Sequence, residues 1–136
     1  SATAGQTFTI TGANTFGTIR CDDGVVTHTI TFPNVTTTIP TAAGWQINGA
    51  SGQLVTLQRT GASGNWTIAC TTGTISCNYI SISNSIGSGA GVPFSPGANS
   101  TDGGGNTNWS FSTVSNIVPL FMQFNSLGSN SYGLRI

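Results

Sequence analysis

The chain has no lysine and no glutamate. Across its 136 residues the fixed charges are three aspartates and three arginines: Asp22, Asp23, Asp102, Arg20, Arg59 and Arg135. Ordinary soluble domains are about 25% charged, whereas this one is 4% charged with no net charge. Nucleic-acid binding needs clustered lysine or arginine to displace counterions. Three scattered arginines do not supply that, and they do not supply the basic patch that attracts an anionic membrane surface. No stretch approaches the roughly 18 consecutive apolar residues of a membrane-spanning helix, and no basic segment followed by an apolar one opens the chain. The start, Ser1-Ala2-Thr3-Ala4, is compatible both with removal of an initiator methionine and with cleavage of a signal. Groups for acid–base chemistry, metal binding or phosphate contact are scarce throughout.

Cysteine is scarce too. Three residues, Cys21, Cys70 and Cys77, cannot complete a disulfide framework. Cys70 and Cys77 could pair in an oxidising compartment, but the preferred reading is of buried thiols acting as small apolar groups.

What is present is hydroxyl, amide, glycine and a sizeable apolar fraction. Hydrophobic residues make up 37% of the chain, including seven Phe and three Trp. That is enough for one core in a single domain, 1–136, and unlike the composition of a disordered segment. A neutral, hydroxyl-rich protein lacks the charge repulsion that keeps monomers apart. A subunit packed in an assembly is therefore expected ahead of a soluble monomer.

Good helix formers are sparse, and β-branched and aromatic residues alternate with polar ones. Phe8 and Ile10 share a face. Val26, His28, Ile30 and Phe32 share another, with Thr27, Thr29 and Thr31 opposite. Trp45 and Ile47, Val55 and Leu57, then Trp66, Ile68 and Cys70 follow, with Trp109 and Phe111 as a late pair. Ile75, Cys77 and Tyr79 hold odd positions before Ile80 and Ile82 switch parity, which predicts a bulge or corner near Tyr79. Short strands between turn clusters such as Asn48-Gly49 and Gly61 to Gly64 predict an all-β fold. The triplets 29–31, 37–39 and 46–48 are followed, roughly 26 to 30 residues later, by 55–57, 67–69 and 75–77, a spacing in the range of stacked coils. A short parallel β-helix or solenoid-like domain is expected, with a β-sandwich or jelly roll as the alternative. Segment 87–108, rich in Gly and Pro, reads as a solvated connection.

One further signal combines order and spacing. Asn48-Gly49-Ala50-Ser51-Gly52-Gln53-Leu54-Val55-Thr56-Leu57 is followed by Trp66-Thr67-Ile68 and by Gly73-Thr74-Ile75-Ser76-Cys77-Asn78-Tyr79-Ile80-Ser81-Ile82-Ser83-Asn84-Ser85. The pattern ends in Gly97-Ala98-Asn99-Ser100-Thr101-Asp102-Gly103-Gly104-Gly105-Asn106 and Trp109-Ser110-Phe111. Over residues 30–112 this resembles a β-helix-like module of phage structural proteins and large bacterial surface proteins. The resemblance implies a solenoid in a fibre, tail, decoration or adhesin, and it carries no catalytic residues. The chain departs from the module in standing as a short protein and in an apolar ending, 113–136, that the module does not include.

Candidate chemistry is thin. Cys21, Asp22, Asp23 and His28 could in principle form a thiol nucleophile with a base and an orienting carboxylate. His28, however, shares a face with Val26, Ile30 and Phe32, as a core histidine does. Asp22-Asp23, or Asp102 with Asn106, offers oxygens to a calcium ion, yet turn chemistry explains them better. Trp45, Trp66 and Trp109 could stack on sugar rings, but aromatic residues in alternating strands are more often core anchors. Asn34, Asn65, Asn99 and Asn108 each open an Asn-X-Ser/Thr triplet, which matters only outside the cell.

The strongest candidate is an interface. Ile117, Val118, Leu120, Phe121, Met122 and Phe124 form an apolar strand whose exposure would invite aggregation. Pro119 removes one ladder donor and favours an edge. An intersubunit strand is expected slightly ahead of a central one. The overall expectation is a non-enzymatic structural subunit of a virion, a capsid decoration or fibre protein. It needs no cofactor and no metal, and its partners are copies of itself and other virion structural proteins, without nucleic acid or membrane. The alternative is an extracellular filament or surface adhesin that exchanges strands.

Overall fold

The computed structural model of the protein describes residues 5–112. The expected interface strand, Ile117 to Phe124, lies outside the described residues.

The described chain is built from short strands without an α-helix. They are β1 (Thr7–Thr9), β2 (Asn14–Thr15), β3 (Ile19–Cys21), β4 (Thr29–Phe32), β5 (Thr36–Thr41), β6 (Trp45–Ile47), β7 (Val55–Arg59), β8 (Trp66–Thr72), β9 (Ile80–Ile82), β10 (Ser85–Ser88) and β11 (Thr101–Asp102), with one 3-10 turn at Ala42–Gly44. Consecutive strands do not pair. Each pairs with a strand two or three places further on, in three sheets ordered β1-β4-β7-β9-β11, β10-β8-β5-β2 and β3-β6. Along the chain β1, β2, β3 and then β4, β5, β6 enter the three sheets in the same order, a circuit each, and β7 to β11 alternate between the first two.

All the strand-to-strand pairings are parallel, whereas a sandwich or jelly roll pairs its strands antiparallel. None of the three sheets closes on itself among the described residues. The offsets between paired residues vary, from Trp66 with Ser85 to Thr36 with Thr67.

Register is set by which residues point inward. Phe8 pairs with Ile30, Ile30 with Leu57, and Leu57 with Ile82. Ile30, Leu57 and Ile82 are all buried, while Thr29 and Thr56 beside them are only half-buried. The expected pairing of triplets is one residue out: 29–31 lies against 56–58 rather than 55–57, and 37–39 against 68–70 rather than 67–69. Side chains alternate with period two, so a one-residue slip would set Ile30 beside Thr56 and turn one apolar set outward.

The core is one cluster running along the inside of the sheets. Phe32 stacks on Trp66 with ring centroids 4.1 Å apart and planes 7° from parallel. Phe94 meets Trp109 edge-on at 5.4 Å, and Trp45 tilts against Trp109 at 6.5 Å. All three tryptophans are interior, as expected of anchors. The Trp66 indole N–H donates to the Ser83 carbonyl (2.9 Å), and that of Trp109 donates to Ser85 Oγ (3.0 Å).

The corner foreseen near Tyr79 is there. Tyr79 sits at φ 55° and separates inward Ile75 and Cys77 from inward Ile80 and Ile82. Segment 87–108 is largely exposed, as expected of a solvated connection, but it is also tied into the body of the protein. Phe94 is fully buried, and parallel bridges join Ser76 to Ser95, Ile86 to Thr107 and Phe94 to Trp109, making another circuit. Its glycines permit close packing: a Cβ on Gly89, at φ 123°, would collide with the Cys70 carbonyl of the circuit before.

Asparagines hold one corner across circuits. Asn48 and Asn78 each follow an inward residue, Ile47 and Cys77. Asn48 Oδ1 accepts the Asn78 amide N–H at 2.9 Å. Asn78 Oδ1 accepts the amide N–H groups of Tyr79 and Asn99, both at 3.0 Å. At the next corner Asn106 Oδ1 accepts the Ser85 N–H, and its Nδ2 donates to the Ile82 carbonyl. Corners interrupt the ladders, and these side chains supply the partners that buried backbone groups require.

Candidate functional site

Polar and titratable groups converge at one place, beside the first circuit. β3 and the turn after it carry Arg20, Cys21, Asp22 and Asp23, and the approach to β4 carries His28. With Phe8 they line an open depression of about 380 Å³.

The geometry ties these groups to one another. His28 Nδ1 accepts the backbone N–H of Gln6 at 3.1 Å, and Nε2 lies 2.7 Å from Asp23 Oδ2. An accepting Nδ1 places the ring proton on Nε2, which donates to the carboxylate. That hydrogen bond, with help from the Val25 N–H, holds the Asp23 carboxyl below the ordinary aspartate value. Arg20 Nε donates to Asp22 Oδ1 at 2.7 Å, an exposed pair that raises the already high guanidinium value. Burial, then the neighbouring charges of Asp23 and Asp22, push the Cys21 thiol up.

A nucleophilic cysteine requires the opposite environment, one that favours thiolate. The only imidazole nearby has no acceptor nitrogen to spare, because Nδ1 is taken by Gln6. The sequence placed Cys21, Asp22, Asp23 and His28 together and the structure does bring them together, as a brace. His28 fastens the start of β1 to the turn before β4, and the thiol is not set up for attack.

The other thiols are deeper. Among the described residues all three cysteines are free, with Cys70 and Cys77 buried. Burial pushes Cys77 up to about 12. The Trp45 indole pulls the other way, weakly, since its Nε1 makes no hydrogen bond of ordinary geometry.

The Asp102 loop makes a turn. Its Oδ1 accepts the Gly104 N–H at 2.9 Å and the Asn106 side-chain amide at 2.7 Å. Among the described residues no three His, Cys, Asp or Glu side chains come together to hold a metal ion. Of the Asn-X-Ser/Thr triplets, Asn34, Asn99 and Asn108 are exposed and Asn65 is half-buried. The Asn65 and Asn108 amides donate to the carbonyls of Gly105 and Gly87.

A second depression, of about 240 Å³, adjoins the first and is apolar. Phe8, Ile10, Phe16, Ile19 and Ile30 line it with Cys21 and the stem of Arg20. Sequence reasoning did not single it out. The available signal was four large apolar residues, Phe8, Ile10, Phe16 and Ile19, close together in a segment otherwise rich in Thr and Gly. Searches against family models, curated proteins and solved structures give no match for the chain.

Proposed function

We propose that the circuits are the coils of a short parallel β-solenoid, and that the chain is a non-enzymatic structural subunit of a virion, a capsid decoration or fibre protein that assembles with copies of itself and with other virion structural proteins. One observation carries the reading: circuit after circuit pairs in parallel register over a continuous apolar interior. Such a body gains its cohesion along the stack axis, from backbone ladders and stacked side chains. Salt has little to screen, since the described ion pairs are the exposed Arg20–Asp22 and the Asp23–His28 contact. The resemblance over residues 30–112 to modules of phage structural proteins points the same way. So does a titratable cluster whose imidazole is fully engaged in bracing.

The test is direct. Particles purified from the source of the gene are dissolved and their proteins identified by mass spectrometry. The chain is expected at a copy number comparable to that of the other surface proteins. Its absence from intact particles, with its presence elsewhere in the same culture, would overturn the assignment. A second reading, an extracellular filament or surface adhesin, is favoured by the exposed asparagines of the triplets at Asn34 and Asn99. A glycan mass on either residue of the native protein would favour it.

A further inference from the structure

The stack of circuits has two unlike ends. At one, Ile82 and Phe94 are fully buried and Trp109 is 8% exposed, with half-buried Phe111 packed on the same core. At the other, the inward row Phe8, Ile30, Leu57, Ile82 runs through exposures of 50%, 4%, 0% and 0%. Phe8 is in register with the core, and among the described residues no strand lies beyond it. Ile10, Phe16 and Ile19 complete this last layer around the apolar depression. Stacked-repeat proteins ordinarily close such an end with a polar cap.

The backbone is open there as well. Ile10 donates to the Thr31 carbonyl, and Thr29 donates to the Gln6 carbonyl. Even-numbered residues of this segment therefore bond to β4. Strand geometry then turns the N–H and C=O of Thr7 and Thr9 to the opposite edge. β1 is the last strand of its sheet, so those groups have no partner among the described residues. Edges of this kind are usually blunted by charge or proline, and this one carries neither.

We propose that the segment Ile117 to Phe124 of a second copy of the chain adds as a strand along the outer edge of β1 and covers Phe8, Ile10, Phe16 and Ile19. The proposal rests on the assembly reading above and names its contact. The segment's parity fits the edge. If Val118, Leu120, Met122 and Phe124 pair with β1, they share one parity, while Pro119, which has no N–H, falls on the other with Ile117, Phe121 and polar Gln123. Reach selects the second copy over the same molecule. Described chain stops at Ser112, by the closed end, and five further residues span at most about 18 Å. β1 lies four strand spacings from β11 and a strand added outside it a fifth, about 24 Å along the sheet. In a head-to-tail stack the next copy's open end lies where the segment emerges. The contact is heterologous, so it builds a filament or a closed ring.

Complementation of full-length variants tests this. Thr9→Pro removes an outward N–H and spares the backbone bonds to β4, losing only the bond that the Thr31 hydroxyl donates to Thr9 Oγ1; Phe8→Ser removes the exposed ring, and Leu120→Asp disables the donated strand. Wild type is expected to show a mass that grows with concentration by light scattering. Thr9→Pro and Leu120→Asp are each expected to remain folded by circular dichroism and to weaken self-association at least about tenfold, the size of a central interface contact. Mixed one to one, they retain one intact donor and one intact acceptor and are expected to form dimers and stop. Should Thr9→Pro unfold, Phe8→Ser takes its place. Wild-type assembly that neither acceptor variant weakens overturns this contact and leaves the assembly reading standing. A wild type that stays monomeric at every concentration overturns both.

Discussion

Leu57 offers the sharpest test of the register. It is fully buried, in line between Ile30 and Ile82. Truncation to alanine deletes three carbons, about 2.4 kcal/mol of transfer free energy at 0.8 per group. The cavity adds to this, because collapse would require neighbouring circuits to shift. The ladder resists that shift, with Thr56 N–H on the His28 carbonyl at 2.8 Å and Ser83 N–H on the Leu57 carbonyl at 3.1 Å. The expected cost of Leu57→Ala is about 3–4 kcal/mol, within the range for buried leucines. Against a total of about 5–15 kcal/mol for a domain, that is a severe loss. Thr56, one residue away, is only half-buried, so Thr56→Ala should stay within about 1 kcal/mol. Urea unfolding followed by the fluorescence of the buried tryptophans measures both. Equal costs at 56 and 57, or a cost at Leu57 below about 1 kcal/mol, would refute the inward assignment.

Other consequences follow from the corners, thiols and brace. Asn78→Ala removes the acceptor for the Tyr79 and Asn99 amides; it should destabilise by about 1–3 kcal/mol and speed hydrogen exchange at the Asn99 amide, whereas Asn34→Ala on the exposed turn should do neither. With Cys70 and Cys77 buried and the Cys21 thiol raised, iodoacetamide at pH 8 should label only Cys21 in the folded protein, and more slowly than it labels the same cysteine in urea; peptide mass mapping reads both. Asp23 has a lowered value when folded, so its contribution is present above the ordinary aspartate range and is lost as pH falls through the lowered value. The wild-type melting temperature should therefore drop more than that of Asp23→Asn between pH 5 and 2, and parallel curves would count against the His28 contact.

Much of the fold was legible because a strand with one buried face must alternate. Val55 and Leu57, Trp66, Ile68 and Cys70, and Ile80 and Ile82 announce themselves through apolar residues two apart, and Tyr79 announces a corner because parity changes across it. Pairing offsets were harder to read, since the circuits differ in length. Matching triplets by residue type then slips by one, and only the requirement that Ile30 and Leu57 share a face corrects it. Segment 87–108 looked like a loop because Gly and Pro dominate it. Its structure comes from two separated aromatics, Phe94 and Trp109, and from glycines that let backbone approach backbone. The asparagine corners leave a fainter trace, an amide directly after an inward residue at Ile47-Asn48 and Cys77-Asn78.

The cluster at Cys21 to His28 shows why residue types alone overstate chemistry. A thiol, two carboxylates and an imidazole within eight positions meet the composition of a nucleophilic site, but composition is silent about which atoms are already engaged. The Gln6 amide occupies Nδ1, Asp23 takes the proton on Nε2, and Arg20 neutralises Asp22. Each of these groups is spent on fastening the first circuit, which among the described residues has a neighbour on one side only and gains least from stacking. Where circuits are covered on both sides, packing and ladders suffice and charges are rare. Three of the five described ionised residues, Arg20, Asp22 and Asp23, thus lie beside Phe8 at the first circuit, with Arg59 and Asp102 apart from them, and the chemistry of this cluster reads as a consequence of the architecture.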